Sequence, residues 1–352
     1  MPDRILIYGA TGYTGKLVAR KAKQQGLRPI LGGRNPAKLK SVAGQMAFEH
    51  RTVDLNDRAG LEKVLKEVDV VLHIAGPFSQ TSRQMVDACI ATGTHYLDIT
   101  GEIDVFEACA ARDAEAKKAG VMLMPGVGFD VVPSDCLAAH MKRRMPDASE
   151  LTLAISGLGS MSRGTAKTGV ESIRFGTRIR RDGKILSSKA PLVREIDFGQ
   201  GVKKSVAVGW GDVSTAYHST GIPNITVYFE ATAQLEQAAN IGPFLRWVLS
   251  TGPAQRMLKK KIDQQPEGPD DAQRAEGYSI LLGEAVNEAG DRVVSRLRTP
   301  EGYSLTALTS LEIVRRVMQG NAVPGYQTPS SVFGPDFITE FPGCELEDLN
   351  SA

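Results

Sequence analysis

The sequence predicts an α/β protein: a doubly wound parallel sheet, followed by a second α+β domain whose sheet is mainly antiparallel or mixed. Three observations predict it. The chain has 352 residues, too many for one ordinary core, so two domains are expected. Over its first third, short apolar runs alternate with helix-length segments, the pattern of a parallel sheet covered on both faces. After "MKRRMPDASE" the segments lengthen and become β-rich, the pattern of antiparallel ladders.

The elements of the first third follow in order. "RILIYG" reads as a buried strand and "KLVARKAKQQG" as a helix stopped at Gly26. "LRPILGGR" is the next strand. Asn35 and Pro36 then form a cap and a first-turn proline that open the helix "PAKLKSVAG". "FEHRTVDL" and "DRAGLEKVLKEV" make the third strand–helix pair, "DVVLHIAGP" and "TSRQMVDACIATG" the fourth. "HYLDIT", the helix "IDVFEACAARDAEAKKAG" and the strand "VMLMPGVGF" complete the set.

Within this frame the turn "GATGYTG" acquires a chemical meaning. Gly9, Gly12 and Gly15 lie three apart between the first strand and its helix. Such a turn aims backbone N–H groups and a helix N-terminus at one spot, which suits a pyrophosphate and marks a Rossmann-type domain. The spacing is GxxGxxG rather than GxGxxG, so position carries the argument more than pattern. Thr11, Tyr13 and Thr14 add hydroxyls there, either as ligand contacts or as ordinary turn residues. Arg34, nineteen positions beyond Gly15, stands where an acidic residue would select NAD. An arginine suits the 2′-phosphate of NADP(H) instead. Lys38 offers a looser second charge. Asp54 ends the third strand, either facing the adenine or capping the next helix. Ala75, Gly76 and Pro77, after the fourth strand, are small or donor-free and let a nicotinamide ribose approach the backbone.

Composition excludes other classes. The 42 basic and 40 acidic residues give a net charge of +2, without the clustered surplus that nucleic-acid binding needs. No apolar run is long enough to span a membrane, and "MPDR" lacks the layout of a signal peptide. Cys89, Cys109, Cys136 and Cys344 are scattered, so no metal site is expected and cytoplasmic, reduced thiols are the default.

The glycine turn, "AGPF", "HYLDITGE", "GVGFDVVPSD", "GTAKTG" and "GYQTPSSVFG" together resemble the saccharopine dehydrogenase-like oxidoreductases, and within them the trans-acting enoyl reductase branch. The resemblance runs along most of the chain. It implies an NADP-binding domain over 1–150, a substrate and dimerisation domain over 151–300, and a C-terminal helix and tail over 301–352 that return to the first domain. It implies that Gly9, Gly12, Gly15 and Arg34 hold the cofactor phosphates and that Ala75, Gly76 and Pro77 line its ribose.

In the second half, "LTLAISGLG", "LVREIDFG", "KKSVAVGWG", "NITVYFEATAQ", "YSILLGEAVN" and "DRVVSRLRTP" read as strands, with "NEAGDR" as a hairpin turn. Between Arg163 and Lys184, Lys167, Arg174 and Arg178 recur at helical spacing. They form either a solvated helix face or a landing site for an anionic handle. "IGPFLRWVLSTGPAQRMLKKKI" reads as an amphipathic helix broken at Pro253, with Ile241, Phe244, Leu245 and Val248 on one face. It packs on its own domain, caps a substrate tunnel or touches a membrane peripherally. "EGYSLTALTSLEIVRRVMQG" is a late helix, and the rest reads as loop.

For chemistry, the strand ends supply Tyr96, Asp98, Glu102 and Asp130. Glu102 and Asp130 are the first candidates for catalytic groups near the nicotinamide, with Tyr217 and His218 weaker ones. Tyr96 has no lysine four residues on, so a short-chain dehydrogenase set is absent. The expected activity is NADPH-dependent reduction of an apolar, unsaturated substrate, either a small molecule or an acyl group linked to a carrier. The alternatives are an amino-acid or imine dehydrogenase and a non-catalytic NADP-binding redox sensor. A homodimer is the expected assembly.

Overall fold

The computed structural model describes residues 4–188 and 190–349. The chain divides into two compact units, Met1–Val132 with Tyr303–Val332, and Pro133–Gly302 with Phe333–Ala352.

The first unit alternates β1 (Ile5–Tyr8), α1 (Tyr13–Gln24), β2 (Ile30–Gly33), α2 (Pro36–Met46), β3 (His50–Thr52), α3 (Arg58–Leu65), β4 (Val70–His73), α4 (Phe78–Thr92) and β5 (His95–Asp98). Two short helices, α5 (Ile103–Ala110) and α6 (Asp113–Ala119), then lead to β6 (Met122–Met124). All strand pairs are parallel, in the order 3-2-1-4-5-6, with a two-residue strand, Gly325–Tyr326, outside β6. β1 and β4 are buried throughout, as apolar runs covered on both faces must be. The chain runs outward from β1 to β3 and then returns to β4. The crevice beyond the carboxyl ends of β1 and β4 is therefore the switch point where such sheets bind ligands. Local chemistry sets the helix starts. Asn35 accepts the Lys38 N–H at 3.0 Å with Pro36 in the first turn, and Asp57 caps α3 by accepting from Gly60. The expected single helix over 103–119 is two, divided at Arg112, whose guanidinium pairs with Glu115 and Asp87. The late helix Gly302–Arg316 ties to the loop after β6: Thr306 Oγ1 accepts from Phe129 N–H, and Thr309 Oγ1 donates to Val127 C=O, both at 2.9 Å.

The second unit is built on β7 (Glu150–Ser156), β8 (Arg178–Arg181), β9 (Lys184–Ser187), β10 (Val193–Asp197), β11 (Val202–Val208), β12 (Asn224–Glu230), β13 (Tyr278–Val286) and β14 (Arg292–Pro300). Their main order is 10-11-12-7-13-14, continued by the strand Glu345–Leu349. Only β12 and β7 pair in parallel, so the sheet is mixed. The sheet also rolls. β10 and β13 are four strands apart, about 19 Å if flat, yet Arg194 of β10 reaches Glu284 of β13 at 2.7 Å. Ile196 and Phe198 pack with Ile280, Leu282 and Val294 in the same fold of the sheet.

Several expectations need correction. The division falls at residues 132 and 133 rather than near 150, because the helix Val132–Arg144 packs on β13, with Leu137 and Met141 against Gly283. The last described residues do not return to the first unit: Glu345–Leu349 pairs with β14. Lys167, Arg174 and Arg178 do not share a helix. The helix ends at Ser172, Arg174 sits in a short 3-10 turn, and Arg178 begins β8. Lys167 pairs with Asp263 at 2.5 Å. The run over 241–262 is broken as expected, into the helices Pro243–Leu249 and Gly252–Ile262, with Ser250 and Thr251 between them and Pro253 in the first turn of the second.

Candidate functional site

The three glycines of the first turn carry different loads. Gly9 has φ +93°, and a Cβ there would meet Ala75 N at 2.7 Å. Gly15 presses α1 against the turn, since a Cβ would lie 2.3 Å from Gly9 C=O. Both positions are closed by the protein itself. Gly12 is not: it is exposed, its φ of −77° suits any residue, and an added Cβ would meet only Gly9 C=O at 3.5 Å. Gly12 is the N-cap residue of α1 and has no side chain of its own to cap it. A bare backbone cradle at a helix N-terminus, which a Cβ would fill, fits a pyrophosphate. Thr11, Tyr13 and Thr14 border it half-buried, and the Tyr13 ring meets Tyr303 edge-on at 5.2 Å.

At the ends of β1 to β3, Arg34 and Asp54 gather around Tyr8. The Tyr8 hydroxyl donates to Val53 C=O at 2.9 Å, and burial pushes its pKa up to about 12, with Asp54 adding and Arg34 opposing. Arg34 is exposed and makes no ion pair among the described residues, which leaves its fork available for a phosphate. Lys38 is exposed one turn away. Asp54 does not cap α3; it accepts the Asn56 N–H and side-chain amide, each at 2.9 Å, while Asp57 caps the helix.

The loop Ala75–Gly76–Pro77 is held from two sides. Thr81 Oγ1 donates to Ala75 C=O at 2.7 Å and lies 3.1 Å from His73 Nε2. His73 is fully buried, and burial pushes its pKa down to about 3, so the ring is neutral. From the other side, Glu102 accepts the N–H of Phe78 at 2.7 Å and of Ser79 at 2.9 Å. Glu102 is therefore the remote cap of α4, whose own first residues supply none. Its two oxygens are engaged with backbone N–H groups.

Asp98 and Asp130 are the two carboxyls with raised pKa at this end of the sheet. Asp98 is buried and accepts from Tyr96 Oη at 2.5 Å and from the N–H groups of Thr100 and Gly126 at 2.9 Å each; burial still pushes it up to about 7. It knots together the loops after β5 and β6. Asp130 differs. Its residue reaches the surface in part, its carboxyl sits in a desolvated recess against Gly101, and burial pushes it up to about 7. No hydrogen bond or ion pair among the described residues holds it. Tyr217 lies in the second unit under the Arg180 guanidinium, 4.2 Å from the ring centre, with His218 beside it. All four cysteines are buried. Sequence reading missed His73 and Thr81; the one signal was a histidine closing the apolar run "VVLH".

Fold and glycine turn together define a Rossmann-type, NADP-binding domain. Residues 5–124 match the family model of the saccharopine dehydrogenase NADP binding domain. Among curated relatives, a trans-acting enoyl reductase of Mycobacterium ulcerans (strain Agy99) is 32% identical over 168 residues, 44% of this chain and 39% of that protein. One of Mycobacterium leprae (strain TN) is 31% identical over 156 residues, 41% of this chain and 37% of that one. The matched region thus spans about two fifths of the length of these relatives. The solved apo saccharopine dehydrogenase (L-Glu forming) of Saccharomyces cerevisiae shares the fold, with a TM-score of 0.65 at 12% identity over 98% of this chain and 99% of that one. No helix among the described residues is long and apolar enough to cross a membrane.

Proposed function

We propose that the chain is a cytoplasmic, NADPH-dependent reductase of an apolar, unsaturated acyl group, free or carried as a thioester, acting as a homodimer. The cofactor half rests on one observation: Gly9 and Gly15 are closed by the protein, whereas Gly12 is open and stands at the N-terminus of α1. In this reading the turn from Gly9 to Gly15 holds the pyrophosphate, Arg34 grips the 2′-phosphate, Asp54 borders the adenine, and Ala75, Gly76 and Pro77 line the nicotinamide ribose. When bound, NADPH supplies a hydride. Asp130 holds a proton near neutral pH in its desolvated recess and delivers it to the substrate α-carbon. Glu102 acts through the backbone, fixing the 75–79 segment. The substrate half draws on the printed names of the relatives, trans-acting enoyl reductases.

The first test is calorimetry. Arg34→Ala should weaken NADPH binding by about tenfold to a hundredfold, the worth of a charge-assisted contact, and leave NADH binding unchanged. Equal weakening of both would remove Arg34 from the phosphate. NADPH oxidation is then followed with 2-enoyl thioesters and with keto-acid and amine pairs.

The second reading, imine reduction, draws on two carboxyls, Glu102 and Asp130, at one end of the sheet. It needs Asp130 ionised to hold a cation, so activity would rise with pH through about 7. Proton donation by Asp130 predicts the opposite limb.

A further inference from the structure

The helices Pro243–Leu249 and Gly252–Ile262 of the second unit hold large apolar side chains in solvent. Phe244 is 76% exposed, Trp247 67% and Met257 66%. Clustered groups of this kind mark an interaction surface. Phe244 and Trp247 share one helix face, their ring centres 6.2 Å apart. The second helix packs its other side on the helix Arg163–Ser172 and so presents Arg256, Met257, Lys260 and Lys261 outward.

The charged residues within these two helices are all basic. Arg256, Lys260 and Lys261 make no ion pair among the described residues. Arg174 is exposed and stacks on Phe175 at 4.4 Å, and it shares a surface depression with Arg246 and Trp247. The neighbouring acids are already used: Glu171 pairs with Lys259, and Asp263 with Lys167.

We propose that this face docks on an anionic lipid bilayer. Phe244 and Trp247 enter the headgroup boundary, and the arginines and lysines lie against the anionic headgroups. An exposed indole suits that boundary, which is oily on one side and wet on the other, and short basic amphipathic helices bind there in the membrane plane. A second copy of the chain fits less well, because a two-fold contact would set the same cations against each other. The proposal is independent of the cofactor reading.

The test uses the full chain with vesicles of phosphatidylcholine, alone or mixed with phosphatidylglycerol. The chain has two tryptophans, so Trp210→Phe leaves Trp247 as the reporter. The expected result is a blue shift of its emission and co-sedimentation with the anionic vesicles only, both reversed by salt. Phe244→Ser with Trp247→Ser should lower partitioning at least tenfold in sedimentation of the otherwise unaltered chain. Arg256→Gln and Lys260→Gln should each lower it about fivefold. An unchanged circular dichroism spectrum and melting temperature show that each variant is folded. The proposal falls if anionic vesicles neither shift the emission nor sediment the chain. It also falls if neutral vesicles bind equally, if the substitutions change nothing, or if a solution dimer shields Trp247 from a soluble quencher.

Discussion

Gly12 and Gly15 lie three residues apart, and substitution separates what each is for. Gly15→Ala forces a Cβ to within 2.3 Å of Gly9 C=O and should cost roughly 1–3 kcal/mol of stability, the range for overpacking. Gly12→Ala meets no such wall, so it should cost under about 1 kcal/mol as an altered helix cap yet weaken NADPH binding tenfold or more. Thermal melting and calorimetry on the two variants check the contrast. Asp130 gives the pH test. As a proton donor whose pKa burial pushes up to about 7, it is competent below that pH and loses its proton above it. The rate of enoyl reduction should therefore fall as pH rises through about 7. Asp130→Asn should flatten that limb and lower kcat by about a hundredfold or more, the usual worth of general acid catalysis.

At the scale of elements, α4 depends on a carboxylate 24 positions from the N–H it caps. Glu102→Ala should cost about 0.5–2 kcal/mol of stability, as loss of an N-cap does. It should also raise the KM for NADPH by loosening residues 75–79, while leaving the pH limb of Asp130 in place. Glu102→Gln, which still accepts one N–H, should recover part of both effects. Such a contact has no local signature, so sequence reading placed Glu102 after β5 without its bonds to the start of α4. Signals that act within four residues were legible: Asn35 and Pro36 opened α2 as read, and the apolar runs of β1 and β4 showed the parallel sheet. The hairpin of β8 and β9 was also written locally and overlooked. Asp182 and Gly183 both have positive φ at its tip, the Asp-Gly turn expected between paired strands. The helical spacing of Lys167, Arg174 and Arg178 masked it, although Gly176, with φ +62°, ends that helical run. The roll of the second sheet joins Arg194 to Glu284 across 90 positions, which no window of sequence displays.

For the whole molecule, the raised carboxyls predict how stability varies with pH. Asp98 and Asp130 both have folded pKa values near 7 against an ordinary 3.8. Between those values the folded state holds protons that the unfolded chain has released, so stability falls as pH rises from about 4 to about 7 and then levels. Tm measured at pH 5 and pH 7.5 should show the loss, and Asp130→Asn should reduce the gap. The order of the chain has a separate consequence. β6 is covered on its outer side by Gly325–Tyr326, a strand made some two hundred residues after Met124. At about 5–20 residues per second, a chain emerging from the ribosome carries that bare edge for roughly 10–40 s. Unpaired edges recruit foreign strands, so the half-made first unit is the species most open to wrong pairing. A chain cut after about residue 150 would keep that open edge permanently.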